Sequence, residues 1–322
     1  MIRDVSIEII QKCPNNCIHC SSYSTKNSSM MLPLDIIKRL IRGLSKLEVE
    51  RICLSGGEPF LHPNLLEIVK QISEHHIIVD IYTCGVIFNG DKSSSLPIET
   101  LTYMKQAGLR TLLFNFPSVH ESTYDLITQS KGHFPLLLES IKNCVSAGIR
   151  AEIHFVPMKQ NISDAVDVLE FGEKNGISQV NFLKLVPHGR ARNNMLAITP
   201  DDNEISALRN RLLDLESHGK AIRLGLPLSE SGSTPPCHAV REKLYIKFDG
   251  SVFGCEAFKY ISFHDSNGLE IIPDNIFVNE ITEIYNNSVF LKQSAMLVKK
   301  YEHCAVGCEN CPVQKYLKEV GD

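Results

Sequence analysis

Apolar and polar positions along the chain change their period in a regular order. Val5 to Ile10, Arg51 to Leu54, Ile77 to Tyr82, Leu109 to Phe116, Ile149 to Val156 and Gln179 to Val186 have the length and β-branched content of strands. Between them, Leu34 to Leu47, Leu65 to Ile72, Phe134 to Ala147 and Asp164 to Lys174 carry apolar residues three and four apart, the spacing of amphipathic helices. Gly108, Gly148 and Gly176 stand where a left-handed residue closes a helix before the next strand. Six strands alternating with helices predict an α/β chain with a parallel sheet. The periods leave a partial (β/α)6 barrel and an open doubly wound sheet both open. In either, chemistry belongs at the C-terminal ends of the strands.

The alternation stops near Gly225. Leu228 to Pro236, with Ser229, Ser231, Gly232, Ser233, Pro235 and Pro236, is turn-rich and predicts a boundary between a domain of residues 1–227 and a small one of residues 228–322. In the second, Leu244 to Phe248 and Ser251 to Phe253 flank Asp249-Gly250 as a β-hairpin with Cys237 and Cys255 beyond its outer ends. A helical pattern from Ile281 to Tyr301 then leads to Cys304, Cys308 and Cys311.

A chain of 322 residues exceeds what one core ordinarily spans, roughly 250 to 300 residues, which agrees with a large and a small domain. The net charge of -4, without a block of like charges, predicts neither nucleic acid nor a membrane surface as partner. No apolar run approaches the roughly 18 residues of a membrane span, and Met1 to Glu8 do not resemble a signal peptide. A cytoplasmic location is expected. Eleven cysteines in such a chain point to metal binding or catalysis rather than disulfides.

The cysteines that carry the chemistry come first. Cys13, Cys17 and Cys20, spaced Cys-x3-Cys-x2-Cys, follow the first strand directly. Three thiolates can hold a [4Fe-4S] cube and leave one iron open. Structural zinc takes four ligands, and His19, between Cys17 and Cys20, is the only further candidate nearby. One βα unit later comes Ser55-Gly56-Gly57-Glu58-Pro59, two glycines and a carboxylate at a strand end. Spacing and order together resemble the radical S-adenosylmethionine (SAM) superfamily. The resemblance selects the partial barrel. It implies a [4Fe-4S] cluster on Cys13, Cys17 and Cys20, SAM on the open iron, reductive cleavage to a 5'-deoxyadenosyl radical, anaerobic conditions, and an electron donor such as flavodoxin or ferredoxin. It further implies SAM contacts at His19, where the family usually has an aromatic residue, at Gly56, Gly57 and Glu58, at Asn115 beside the ribose, and at Pro187 and Gly189 of the Pro-His-Gly-Arg turn. Thr128 departs from the pattern, for relatives often carry an Arg there.

Other residues are candidates for the reaction itself. Arg150, Glu152 and His154 alternate with Ala151, Ile153 and Phe155, so a period of two sets them on one face, inward in a barrel. Arg150 suits a carboxylate and Glu152 or His154 suits proton transfer; an ion pair between barrel layers is the alternative. Cys84 replaces the Asn of the family's Thr-Asn-Gly and is a candidate hydrogen-atom donor, or a small buried group. Cys53 and Cys144 are expected in the core. The C-terminal cysteines resemble the twitch form of the SPASM domain, having five cysteines where SPASM brings seven. That implies a second [4Fe-4S] cluster on Cys237, Cys255, Cys308 and Cys311, with Cys304 as an alternative ligand, a bystander or a hydrogen donor. A zinc ribbon is the competing reading.

The expected activity is abstraction of a C–H hydrogen from a ribosomal precursor peptide, ending in crosslinking, thioether formation or epimerisation. No leader-recognition domain precedes the first strand, so a separate peptide-recognition protein or direct binding at the barrel mouth is expected. Dehydrogenation of a small-molecule alcohol such as an amino-cyclitol, and a non-catalytic Fe-S or zinc protein, are the alternatives.

Overall fold

The computed structural model describes residues 2–89, 92–183, 185–225, 228, 237–301 and 311–320. The elements run β1 (Asp4–Ile10), α1 (Leu34–Lys46), β2 (Arg51–Gly56), α2 (Leu65–Glu74), β3 (Ile78–Thr83), a short antiparallel pair β4 (Val86–Asn89) and β5 (Lys92–Ser95), α3 (Ile98–Gln106), β6 (Leu109–Asn115), α4 (Glu121–Thr128), α5 (Phe134–Ser146), β7 (Arg150–Phe155), α6 (Ala165–Lys174), β8 (Gln179–Phe182), α7 (Arg190–Ile198), α8 (Asp202–Ser217) and β9 (Ile222–Leu224). After these come β10 (Lys243–Ile246), β11 (Val252–Phe253), α9 (Ile281–Asn287), α10 (Val289–Tyr301) and α11 (Pro312–Val320).

Nine described strands form one sheet in the order β11-β10-β1-β2-β3-β6-β7-β8-β9, parallel throughout except for β11. Alternation along each strand sorts its two faces. Val5, Ile7 and Ile9 of β1, Ile52 and Leu54 of β2, and Ile153 and Phe155 of β7 are buried in one core with Ile37, Leu40 and Ile41 of α1 and Leu137 and Ile141 of α5. Each such burial contributes about 1.5–3 kcal/mol, so the helical layer fixes the register of every strand. The opposite face is polar. Residues near both ends of the strand order, Arg223 on the edge strand β9 and Lys243 on β10 beside the edge strand β11, line a single cavity of about 680 Å³ on that face, so the sheet curls without closing.

All six expected strands are present, and the α/β architecture with a mostly parallel sheet is as the alternation predicts. The last of the six stops at Phe182 rather than Val186. A seventh parallel strand, the three-residue β9, adds beyond it. The C-terminal hairpin β10-β11 joins the same sheet, with Asp4 opposite Lys243 and Ile7 opposite Ile246. Of the turn-rich stretch expected to divide the chain, only Leu228 is described. The helix expected over residues 281–301 is two helices, because Ser288 is extended (ψ 123°) and its Oγ accepts from Leu291 N at 3.1 Å, a cap that starts α10. Cys144 is in the core, but Cys53 faces the polar cavity. Its position on β2 has the parity of Arg51, not of Ile52. Among the described residues no helix is long and apolar enough to cross a membrane.

Candidate active site

The loop after β1 carries Cys13, Cys17 and Cys20, and its backbone is fixed from several sides. Cys13 N donates to Thr25 O (3.0 Å), Asn16 N to Thr128 O (2.9 Å) and Ile18 N to Ile127 O (2.9 Å). Arg190, opening α7, holds the same loop three times: its N donates to Cys20 O (2.8 Å), its Nε to Cys17 O (2.9 Å) and its guanidinium NH1 to Ser24 O (2.9 Å). Cys13 is buried and the other two are half-buried. Burial pushes the Cys17 thiol up, Cys13 and Cys20 add to the effect, and Arg190 opposes it, so the three sulfurs share one electrostatic neighbourhood.

Glycines let the second loop come against this one. Gly57 N donates to Ile10 O (2.6 Å) and Glu58 N to Lys12 O (2.8 Å). A Cβ on Gly56 (φ 126°) would stand 2.1 Å from Ile10 O, and one on Gly57 2.1 Å from Lys12 O. Gly189 does likewise from α7: a Cβ there would lie 2.5 Å from Cys20 O. Glu58 is fully buried and ties β2 to β3. It accepts from Thr83 Oγ1 (2.9 Å to each oxygen), Cys84 N (2.7 Å) and Phe60 N (3.2 Å). Those donors favour the carboxylate, but desolvation outweighs them and raises its pKa to about 7. Cys84 Sγ contacts Val86 O (3.5 Å), and the buried side chain packs with Cys13 and Val86. Its thiol is pushed up by burial first and then by Cys13 and Glu58.

Asn115 ends β6 beside His19 and opposite His154 of β7 in register. Desolvation lowers His19 to about 4, and its Nδ1 is buried without a hydrogen-bond partner. The donor set suits a thiolate-held cluster in its chemistry: three soft thiols on one braced loop, with a glycine cradle against it. Among the described residues no group of three or more His, Cys, Asp or Glu converges to hold a single metal ion, so the fit rests on the donor type and the bracing of the loop rather than on converged sulfurs.

The structure separates other candidates. Arg150 sits at the N-terminal end of β7, exposed and paired with Glu152 (2.7 Å), and both line the cavity at the far end of the strands from the cysteine loop. His154 is buried above them, lowered to about 3 by desolvation and by Arg223. Pro187 is half-buried, and His188 beside it is buried, its Nε2 within 2.9 Å of Ala257 O and its ring against Tyr260. Thr128 is buried and donates to Tyr124 O (2.8 Å), a helical role with no charge.

Cys237, Cys255 and Cys311 pack against one small apolar cluster that includes Phe258, Phe290 and Tyr301. Burial raises the Cys255 thiol most, followed by Glu256, Cys311 and Cys237. Cys304 and Cys308 lie outside the described residues.

The segment after Cys255 reaches back to the first cysteine loop. Lys259 Nζ, nearly fully buried, contacts Glu8 Oε1 (3.1 Å), Ser22 Oγ (3.0 Å) and Tyr245 OH (3.1 Å), and Tyr260 OH donates to Ser21 O (3.0 Å). The pattern reading named none of Glu8, Lys259, Tyr260 and Arg223. The signal for Glu8 was present, since Asp4, Ser6 and Glu8 alternate with apolar residues as Arg150, Glu152 and His154 do. Lys259 and Tyr260 stand in an irregular segment without a period.

A model of the Radical SAM superfamily matches residues 7–172. A probable GTP 3',8-cyclase of Sulfurisphaera tokodaii is 25% identical over 193 residues, 60% of this chain and 59% of its own. A PqqA peptide cyclase of Gluconobacter oxydans is 24% identical over 296 residues, 87% of this chain and 75% of its own. The chain thus spans about three-fifths of the first relative's length. Crystal structures of Streptococcus suis SuiB superpose at 14–15% identity, a likeness of fold. With S-adenosylmethionine bound the TM-score is 0.71 over 91% of this chain and 68% of SuiB; with precursor peptide SuiA it is 0.72 over 91% and 66%.

Proposed function

Because the chain belongs to the radical SAM superfamily, whose members hold a [4Fe-4S] cluster and SAM, we propose that Cys13, Cys17 and Cys20 bind that cluster here and that the enzyme acts on a peptide. When bound, the cluster and SAM supply a 5'-deoxyadenosyl radical that abstracts a substrate hydrogen. The observation that carries the reading is the cysteine loop at the C-terminal ends of β1 and β2, pressed against Gly56 and Gly57 and held by Arg190. Gly56, Gly57 and Glu58 would hold the methionyl end of SAM, and Asn115 and His19 its ribose and adenine. Glu58 is held through Thr83 and Cys84 and so keeps the strand ends in fixed relation. Fixed geometry keeps the reacting carbon in line and water away.

In this reading Cys237, Cys255 and Cys311, with Cys308 or Cys304, bind a second [4Fe-4S] cluster of twitch type. The shared neighbourhood of the three described thiols supports it. Two clusters imply about eight irons per chain, and Cys311→Ala should leave about four; an unchanged iron count in that variant would contradict a second cluster.

Peptide substrates are supported by the PqqA peptide cyclase relative and by SuiB, whose structure holds its precursor peptide. A small polar substrate is the second reading, favoured by the polar cavity and by the GTP 3',8-cyclase relative. The test is 5'-deoxyadenosine formation by reconstituted enzyme given a peptide fraction or a small-metabolite fraction of the source cells. Stimulation by peptides supports the first reading; stimulation by metabolites alone replaces it with the second.

A further inference from the structure

The interiors of (β/α) barrels are ordinarily filled with branched apolar side chains. Here the inward positions are polar on strand after strand, and the chamber they enclose has a volume of about 680 Å³. Most of its charges neutralise one another. Arg110 grips Asp80 with two bonds (3.2 and 2.8 Å), Arg51 lies 3.6 Å from Asp4 and 3.5 Å from Asp80, and Arg150 pairs with Glu152 at 2.7 Å.

Three lining charges stand apart among the described residues: Lys243 on β10, which forms no ion pair, and Arg223 and Glu256. Arg223, on the edge strand β9, has among the described residues one side-chain bond, a long one to Asn181 Oδ1 (3.5 Å). Glu256, just past β11 at the opposite edge, forms no ion pair among the described residues. Arg223 and Glu256 both act electrostatically on Tyr82, which lines the same chamber. His154 packs edge-on to the Tyr82 ring at 4.5 Å; it is 5% exposed, and its Nε2 has no hydrogen-bond partner. Asn115, opposite His154, joins this layer to the cysteine loop. A buried nitrogen without a partner costs stability unless something fills the valence.

We propose that the chamber is a substrate subsite for a dipolar group, with a carboxylate held by Arg223, a cationic nitrogen held by Glu256, and His154 Nε2 hydrogen-bonded to the polar atoms between. The inference rests on the proposed SAM cleavage at the cysteine loop and gives a part of the substrate remote from the reacting carbon its place at the other end of the strands. Opposite charges carried at the two ends of the sheet select for polarity and orientation rather than bulk. An acidic and a basic side chain of a peptide supply this chemistry, and so does the zwitterion of a free amino acid.

The test is calorimetric binding to reconstituted, SAM-loaded enzyme with three probes: the capped dipeptide Ac-Glu-Lys-NH2, free L-glutamine, and neutral Ac-Gln-Gln-NH2. The expected result is binding of one charged probe, with the neutral one weaker by about tenfold or more. Which charged probe binds tells peptide from free amino acid. Arg223→Gln and Glu256→Gln should each weaken the bound probe by about tenfold or more, and the exchanged Arg223→Glu/Glu256→Arg chain should recover part of that loss. Equal affinity for charged and neutral probes, no binding of either charged probe, or variants that bind like the parent would overturn the proposal. In the last cases, 5'-deoxyadenosine formation by the parent shows that the subsite alone has failed; a fully iron-loaded parent that forms none shows that the cleavage reading has failed.

Discussion

At the scale of single residues, Gly57 and Glu58 do different work at one turn. A Cβ on Gly57 meets backbone, the Lys12 carbonyl at 2.1 Å, which has no side chain to move aside. Gly57→Ala should therefore push the cysteine loop off its ledge and bring iron loading close to background. Gly148→Ala is the control: φ is also positive (69°) but nothing lies within 4 Å, so it should retain iron and lose about 1 kcal/mol. Equal iron in the two variants would deny Gly57 its place beneath the loop. Glu58 makes a pH prediction. Its pKa is raised from 4.5 to about 7, so between those values the folded chain keeps a proton that the unfolded chain has released. The stability it contributes is full below pH 4.5, falls as pH rises toward 7 by up to about 3 kcal/mol, and is constant above. Urea unfolding of the metal-free protein should show that slope, and Glu58→Gln should flatten it; parallel slopes would refute the assignment.

At the scale of elements, the contact between the Cys255 segment and the Cys20 loop is the one with most at stake. Lys259 and Glu8 are both buried, and removing one charge strands the other. Lys259→Met should cost about 3–5 kcal/mol, whereas Glu8→Gln/Lys259→Met should cost distinctly less than the sum of its single changes. Additive losses in that cycle would mean the pair is not coupled. This contact also marks where pattern reading ends. Strands such as Val5 to Ile10 were legible because a buried helical layer imposes a period on them. The cysteine loop was legible because metal ligation imposes a spacing. Lys259 obeys neither constraint, since it follows a short turn and finds Glu8 only once β10 has been laid beside β1. β9, three residues long, is too short to show a period, and so Arg223 was not seen as an inward group. The break at Ser288 was hidden because the apolar spacing continues through it.

At the scale of the whole molecule, one curled sheet carries two faces with separate tasks. The helical side buries the apolar half of the strands and supplies the stability; the inner side keeps a polar chamber at the N-terminal ends of the strands, opposite the loop of three cysteines. Arg190 and Glu58 link that loop to later strands and helices, so chemistry at the strand ends depends on the integrity of the barrel. The C-terminal residues extend the sheet by adding β10 and β11 beside the first strand, and Lys259 to the loop. The central claim is that this loop holds the cluster at which SAM is cleaved. The most direct measurement is 5'-deoxyadenosine formation by anaerobically reconstituted, reduced enzyme beside its Cys13→Ala variant. The account predicts product from the parent and none from Cys13→Ala; no product from a fully iron-loaded parent, or equal product from both, would contradict it.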